Sequence, residues 1–364
     1  MDQQDPALQR LIDQVLAARE QKAALDIRGG GTKSFYGQPS RGEAMDLRQL
    51  AGISSHEPTE LVVTARAGTP LAELEATLGE HGQCLPFEPP RFAAGGTVGG
   101  MVAAGLSGPA RGSVGAVRDY VLGATLLNGK GEVLTFGGQV MKNVAGYDVS
   151  RLMAGSMGVL GVICEVSLKV LPFAPATATL VFEWDEAEAL KQLTAWTCQP
   201  LPLNASAWHQ GRLHLRLAGA RAAVRAACGR LGGTEQTPDA AAAWWGSVRD
   251  HRHEFFTVGD ADLARGECLW RLSLPATAAS LALPGSQFIE WGGAQRWWRT
   301  DAPAPQVRSA AAQAGGHATL FRGTDKSPGV FAPLAIPLMR IHRGLKRAFD
   351  PAGVFNPGRL YADL

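Results

Sequence analysis

Arg91-Phe92-Ala93-Ala94-Gly95-Gly96-Thr97-Val98-Gly99-Gly100-Met101-Val102-Ala103-Ala104-Gly105-Leu106-Ser107-Gly108-Pro109-Ala110-Arg111-Gly112-Ser113-Val114-Gly115-Ala116-Val117-Arg118-Asp119 is the stretch around which the chain is organised. Glycine recurs through it, and after Arg91 no large polar side chain stands before Arg111. Glycine opens the backbone to close approach and permits positive φ. One reading is main chain lying against a large flat ligand. The other is a small-residue helix over Val98–Ala104, packed tightly on a neighbour and followed by a loop. The stretch alone leaves both open.

Upstream, Leu8, Leu11, Ile12, Val15 and Leu16 recur at helical spacing behind Asp5-Pro6, a good helix start. A short strand, Ala24 to Ile27, then runs into Arg28-Gly29-Gly30-Gly31-Thr32-Lys33-Ser34. Successive bare N–H groups beside hydroxyls and a cation make an anion nest. Two common phosphate motifs fail here: Thr32 stands where a Walker loop needs glycine, and a G-x-G-x-x-G frame begun at Gly29 meets Ser34 at its end. Taken alone, the triple glycine reads as a tight turn.

Around these loops the chain alternates strand and helix signals. Leu61 to Pro70 predicts a strand and turn, and Leu71, Leu74 and Leu78 predict a helix ending at His81-Gly82. Leu85 to Pro90, which includes Pro86, is stiffened by its prolines. Val121–Leu127 and Glu132–Phe136 flank Asn128-Gly129-Lys130-Gly131, a hairpin signal. A strand over Val162–Leu171 ends at Pro172-Phe173-Ala174-Pro175, the expected domain boundary. Beyond it, strand-like runs (178–184, 212–217, 269–274, 287–291) alternate with helical ones (186–196, 221–231, 240–253, 305–314). That pattern predicts an α+β domain with helices on one face of a sheet. All nine tryptophans lie in this half, from Trp184 to Trp298. Core packing is the expected role, and Gly293 to Arg299 is the place where a subunit interface would show. A helix over 334–349 precedes the tail Asp350-Pro351-Ala352-Gly353-Val354-Phe355-Asn356-Pro357-Gly358-Arg359.

Composition narrows the class. With 364 residues, 46% hydrophobic and 19% charged, the chain is long enough for two domains with real cores. A net charge of +2 argues against a dedicated nucleic-acid binder. Cys84, Cys164, Cys198, Cys228 and Cys268 form no C-x-x-C pair, so no zinc or iron–sulfur ligand set can be drawn. They are expected to be small buried hydrophobes in a reducing compartment. The acidic, polar start lacks a signal-peptide pattern, and no run approaches a bilayer span, so a cytoplasmic location is expected.

Four segments, in this order along the chain, resemble the FAD-linked oxidases of the vanillyl-alcohol oxidase type, also called the PCMH-type FAD-binding fold. They are Ile27 to Lys33, Gly95 to Asp119, Gly146-Tyr147-Asp148 with Gly155-Ser156-x-Gly158-x-Leu160-Gly161, and the tail from Asp350 to Arg359. Within that family the chain is similar to the flavin-binding E-type subunits of glycolate-oxidising complexes. Met141 to Asp148, Trp291-Gly292-Gly293-Ala294 and Ala314-Gly315-Gly316-His317-Ala318-Thr319 carry that closer likeness. The resemblance implies an α+β protein. A two-subdomain FAD-binding domain over 1–173, divided near residue 55, is followed by an α+β cap over 174–330 and a tail, 331–364, that returns to the FAD domain.

Carried over by position, Arg28, Gly29, Gly30, Gly31, Thr32 and Lys33 would wrap the pyrophosphate. Gly68, Thr69, Pro86, Gly96, Thr97, Val98, Gly99 and Gly100 would line the phosphate and ribityl region. Ser107, Gly108, Arg111 and Gly115 would continue along the cofactor. Gly155, Ser156, Gly158, Gly161 and Val162 would close the adenine end, with Asn356 and Arg359 in the returning tail. Thr32 stands near the place where some relatives carry a flavin-linked histidine, and no histidine occurs before residue 56, so non-covalent FAD is expected.

Flavin oxidation of a 2-hydroxy acid needs a cation clamp, a base and a dry site. The His-x-Gly-Asp-Gly-Asn-type segment of catalytic D-type relatives is absent, and the nearest match offers only His317. The resemblance therefore implies a redox subunit working beside a D-type flavoprotein and an F-type iron–sulfur subunit. Such a complex converts glycolate to glyoxylate and reaches the membrane only through its partners. Two alternatives stay open. One is a self-sufficient glycolate or D-lactate dehydrogenase using His317 with Arg296 or Arg322; the other is a scaffold with little or no flavin. His209, His214, His251 and His253 lack a third metal ligand at zinc spacing and are expected to be solvated.

Overall fold

The computed structural model describes residues 5–138 and 148–364. The Met141 to Tyr147 segment quoted above lies outside the described residues. The first helix, Pro6–Gln21, starts where Asp5 accepts a hydrogen bond from the Ala7 N–H at 2.8 Å, an N-cap that satisfies one orphan donor. It buries Leu8, Leu11 and Val15 against the short parallel pair Leu25–Arg28 and Glu43–Asp46. Five antiparallel strands follow in the spatial order Ile53–Glu57, Val62–Arg66, Val162–Lys169, Val121–Leu127, Val133–Gly137. Strand Val162–Lys169, buried along most of its length, sits at the centre of this sheet. Helices Leu71–Glu80 and Val98–Ala104 pack their leucine and valine side chains into the same core.

The second sheet has eight strands, in the order Thr234–Glu235, Ala176–Glu183, Arg212–Gly219, Leu203–His209, Ser286–Glu290, Gln295–Thr300, Cys268–Ser273, His317–Arg322. Four of these, Thr234–Glu235, Leu203–His209, Gln295–Thr300 and His317–Arg322, went unread in the sequence. Gln295–Thr300 is buried on both faces, so no polar alternation marks it. Its Trp297 and Trp298 are core residues, and none of the nine tryptophans is exposed. The stretch Gly293 to Arg299 is therefore interior sheet and offers no free interface.

Helices do not all lie on one face, as expected from sequence. Glu186–Thr197 and Arg221–Leu231 cover one side. Pro238–Arg249 lies on the other, because Thr179, His214 and Arg216 point there: Trp245 Nε1 donates to Thr179 Oγ1 at 2.9 Å, and Trp244 stacks on His214. That second face also meets the first domain, through Tyr36, Ala104, Leu106 and Met157.

The last helix is Ile336–Phe349, begun with proline in its first turn. Its buried Lys346 donates to Val159 O, Phe355 O and Asp350, and Asp350 in turn accepts from the N–H groups of Val354 and Phe355. The tail then pairs with the first strand: Leu25 N–H donates to Val354 O, and Asn356 N–H to Leu25 O. Cys164 is buried, but Cys198 is exposed and the other three are intermediate, so the expectation of five buried thiols fails. Among the described residues no helix is long and apolar enough to cross a membrane.

Candidate functional site

The two glycine loops that dominate the sequence face each other across one cleft. Arg28, Gly29, Gly30, Gly31, Thr32 and Lys33 form one wall, and Thr97, Gly99 and Gly100 form the next. Gly158, Gly161, Asn356 and Arg359 close it. The loops meet backbone to backbone. A Cβ on Gly30 would lie 1.6 Å from Gly95 O, and one on Gly29 would lie 2.2 Å from Thr97 Oγ1. Only glycine allows that approach. Thr97 caps helix Val98–Ala104 by accepting from the Gly100 N–H at 3.2 Å. The small-residue helix read from the sequence is present, and Thr97, Gly99 and Gly100 at its start line the cleft.

Backbone accounting singles out the first loop. The N–H groups of Gly29, Gly30, Gly31, Thr32 and Lys33 donate to no acceptor among the described residues. Half-buried backbone donors are almost always paired; Gly29, Gly30, Thr32 and Lys33 are half-buried and Gly31 is exposed, so the run marks a concavity open to an acceptor-rich group. Lys33 adds a cation with no carboxylate partner among the described residues. Burial lowers its pKa to about 8, and its ammonium lies 5.9 Å from the Phe92 ring. Asn356 fixes the start of this loop: its side-chain oxygen accepts from the Ile27 N–H at 2.8 Å while its amide donates to Met157 O at 2.7 Å.

The remaining expected residues lie outside the cleft lining, and most of them have structural partners. Gly68 approaches Leu47 O so closely that a Cβ would sit 2.0 Å away, and Thr69 Oγ1 bonds both the N–H and the carbonyl of Gly52. Pro86, Val98 and Val162 are buried in the core, and Gly96 is outside the cleft lining. Ser107 Oγ accepts from Val117 N–H, Gly108 O accepts from Trp291 Nε1 at 3.1 Å, and Gly115 turns at φ 97° beside Asp119. Gly155 N–H donates to Val102 O, and the buried Ser156 hydroxyl has no partner among the described residues. Asp26, Ile27, Ser34, Ser40, Leu47, Ala103, Ala104, Met157 and Ile163 also line the cleft and were missed. Only their nearness to the glycine runs hinted at them.

A second polar region lies where the eight-stranded sheet faces the first domain. Arg271 Nη2 donates to Tyr36 Oη at 3.2 Å, Arg111 stacks 4.4 Å from the Trp291 ring, and Arg322 stacks 3.7 Å from Phe35. None of the three is in an ion pair among the described residues. Burial, then Arg271, lowers the Arg111 pKa. Sequence reasoning missed Arg271 because only strand register turns it toward the first domain. Arg296 is removed as a clamp. It is fully buried, its donors go to the carbonyls of Gly293, Ala278 and Ala279, and Glu186 lies 3.6 Å away.

His317 is exposed at the start of its strand, outside the cleft lining, with its pKa lowered by burial of the ring and then by Arg271. The four other histidines of this half are not solvated. His251 stacks on Phe256 at 4.1 Å and His214 on Trp244 at 3.7 Å; burial pushes His214 down to about 4 and His251 well below its usual range. His209 and His253 pack against Phe288, and burial lowers both. Among the described residues no group of three His, Cys, Asp or Glu could hold a metal.

A sequence family described as an FAD binding domain matches residues 8–137. The chain is 47% identical over 356 residues to the glycolate oxidase subunit GlcE of Escherichia coli K12, spanning 98% of both proteins. It is 29% identical to the glycolate oxidase subunit GlcD of Bacillus subtilis, over 51% of this chain and 43% of that one. It is 32% identical to a D-lactate dehydrogenase of Anaerostipes hadrus, over 44% and 32%. Among solved structures, an alkyldihydroxyacetonephosphate synthase aligns at a TM-score of 0.62 over 96% of this chain and 74% of its own. At 14% identity that likeness concerns the fold alone.

Proposed function

Because the chain belongs to the family of FAD-linked hydroxy-acid oxidoreductases that includes the glycolate oxidase E subunit, we propose that it is the FAD-carrying redox subunit of a glycolate-oxidising complex. The observation that carries the reading is the run of five unpartnered N–H groups, Gly29 to Lys33, beside an uncompensated lysine. A pyrophosphate offers many acceptor oxygens and negative charge, and needs little side chain around it. Arg28 to Lys33 would hold the pyrophosphate, Thr97, Gly99 and Gly100 would continue the cradle, and Gly158, Gly161 and Asn356 would close it. The boundary between 1–173 and 174–330 is supported by the change of sheet between Pro172 and Ala176, and the separate course of 331–364 by the pairing of Leu25 with Val354 and Asn356.

FAD bound there supplies the two-electron acceptor that turns a 2-hydroxy acid into a 2-oxo acid. Non-covalent attachment is the reading supported by Thr32, in place of a histidine, in the first glycine loop. Electrons would leave through an iron–sulfur subunit toward a quinone, beside a D-type flavoprotein, and membrane contact would come through those partners.

A second reading, a self-sufficient dehydrogenase, is favoured by the unpaired cations Arg271, Arg111 and Arg322, a setting in which a substrate carboxylate would be held. One experiment separates the two. The purified chain is denatured in acid to see whether yellow flavin is released, and its native form is mixed anaerobically with glycolate. Released flavin without bleaching supports the redox subunit, and bleaching by glycolate alone supports the second reading. A chain that binds no FAD, alone or co-expressed with partners, overturns both.

A further inference from the structure

The segment immediately after the unpartnered N–H run, Ser34 to Gln38, is gripped in an unusual way. Five consecutive carbonyls are taken by two cations, and they alternate. Arg359, from the tail, donates to Ser34 O at 3.2 Å, to Tyr36 O at 2.6 Å and to Gln38 O. Lys326, from the loop after strand His317–Arg322, donates to Phe35 O at 2.6 Å and Gly37 O at 2.7 Å. The segment is a run of turns, with Ser34 N–H on Gly31 O and Tyr36 N–H on Lys33 O, and its outward carbonyls are shared alternately between the two cations, so the loop is held by both.

Gln38 returns the contact. Its N–H donates to Arg359 O and its side-chain amide to Lys326 O, both at 3.0 Å. Gly37 at φ 86° lets Arg359 come this close, since a Cβ there would meet its Nε at 3.2 Å. Neither cation has a carboxylate partner within ion-pair distance among the described residues. Both are engaged by backbone, and that backbone belongs to the cradle.

We propose that Lys326 and Arg359 form a two-sided latch that sets the course of the first glycine loop, so that tight FAD binding by the first domain depends on a lysine of the second. Lys326 is a positioning residue: it touches the loop, and the loop touches the cofactor. The chain enters the N–H run from a strand held by Asn356 and leaves it through this latch. With both ends fixed, the five donors keep one curvature before the ligand arrives, and less ordering is left for binding to impose. Releasing one side leaves two carbonyls without donors and frees the loop.

The proposal rests on the FAD reading above, and the test separates their failures. FAD-depleted full-length wild type, Lys326→Met and Lys326→Arg are titrated with FAD by flavin fluorescence, and the thermal midpoint of each FAD-free protein is measured. The latch predicts FAD binding weakened roughly tenfold to a hundredfold in Lys326→Met, as expected for the loss of one or two charge-assisted hydrogen bonds. Lys326→Arg should restore binding to within about threefold, and trypsin should cut FAD-free Lys326→Met faster than wild type after Lys33 or Arg41. A Lys326→Met protein with a lowered thermal midpoint but wild-type FAD affinity overturns the latch, since Lys326 is then ordinary packing. A wild-type chain that takes no FAD overturns the reading on which the latch rests.

Discussion

Gly30 and Gly96 are close in the structure, yet the same methyl group should disable one site and leave the other unaffected. A Cβ on Gly30 would lie 1.6 Å from Gly95 O and 2.5 Å from its carbonyl carbon. Ordinary contact begins near 3.4 Å, so one backbone must retreat by about 1.8 Å (3.4 less 1.6). Both atoms in the clash are main chain, so no rotamer relieves it. Neither glycine has a positive φ, so strain in the backbone angle plays no part. A shift of that size takes an N–H beyond hydrogen-bond reach of an oxygen it would otherwise meet near about 2.9 Å. Losing two hydrogen bonds to an anionic group, at about 1.5–3 kcal/mol each, removes about 3–6 kcal/mol. At about 1.4 kcal/mol per decade, Gly30→Ala should weaken FAD binding by roughly 10²–10⁴. A Cβ on Gly96 meets only Thr32 Oγ1, at 3.5 Å, so Gly96→Ala should bind FAD within about threefold of wild type. Fluorescence titration of the FAD-free proteins measures both. Equal affinities for Gly30→Ala and wild type, or equal losses in the two variants, would refute the claim that loop-to-loop contact shapes the cradle.

Lys33 should make FAD affinity depend on pH. Burial lowers its pKa to about 8, and a bound anion raises it again, so affinity should be flat below pH 8 and weaken above it; a Lys33→Met protein should lose that slope. In the same window the unfolded lysine still holds its proton while the folded one has released it, so the FAD-free fold should gain stability between pH 8 and its ordinary value near 10.5, as read by denaturant midpoints. Lys346→Met leaves the buried Asp350 carboxylate without its cation and should lower unfolding stability by about 3–5 kcal/mol in urea titrations. Arg271→Met should keep FAD but abolish any change in the visible flavin spectrum on adding oxalate, a stand-in for the glycolate carboxylate; an unchanged oxalate response would remove Arg271 as an anion contact.

The glycine loops, the helices around Leu8 and Leu71, the hairpin at Asn128 and the family were all legible in the order of the residues. These are local signals: a periodicity, a cap or a glycine run is read within a few residues of itself. The cleft-lining residues nearest the glycine runs, Arg28 to Lys33 with Thr97, Gly99 and Gly100, were legible for the same reason, whereas Val98 turned into the core. Tertiary structure alone decided which glycines serve contact between loops and which line the cleft, because Gly30 and Gly95 are neighbours only after folding. It also decided that Arg296 is buried on its own sheet while Arg271 reaches Tyr36, since strand register assigns each side chain to a face. Lys326, 288 residues from Gln38, carries no motif at all. Its role exists only where two distant segments bring a cation against bare carbonyls.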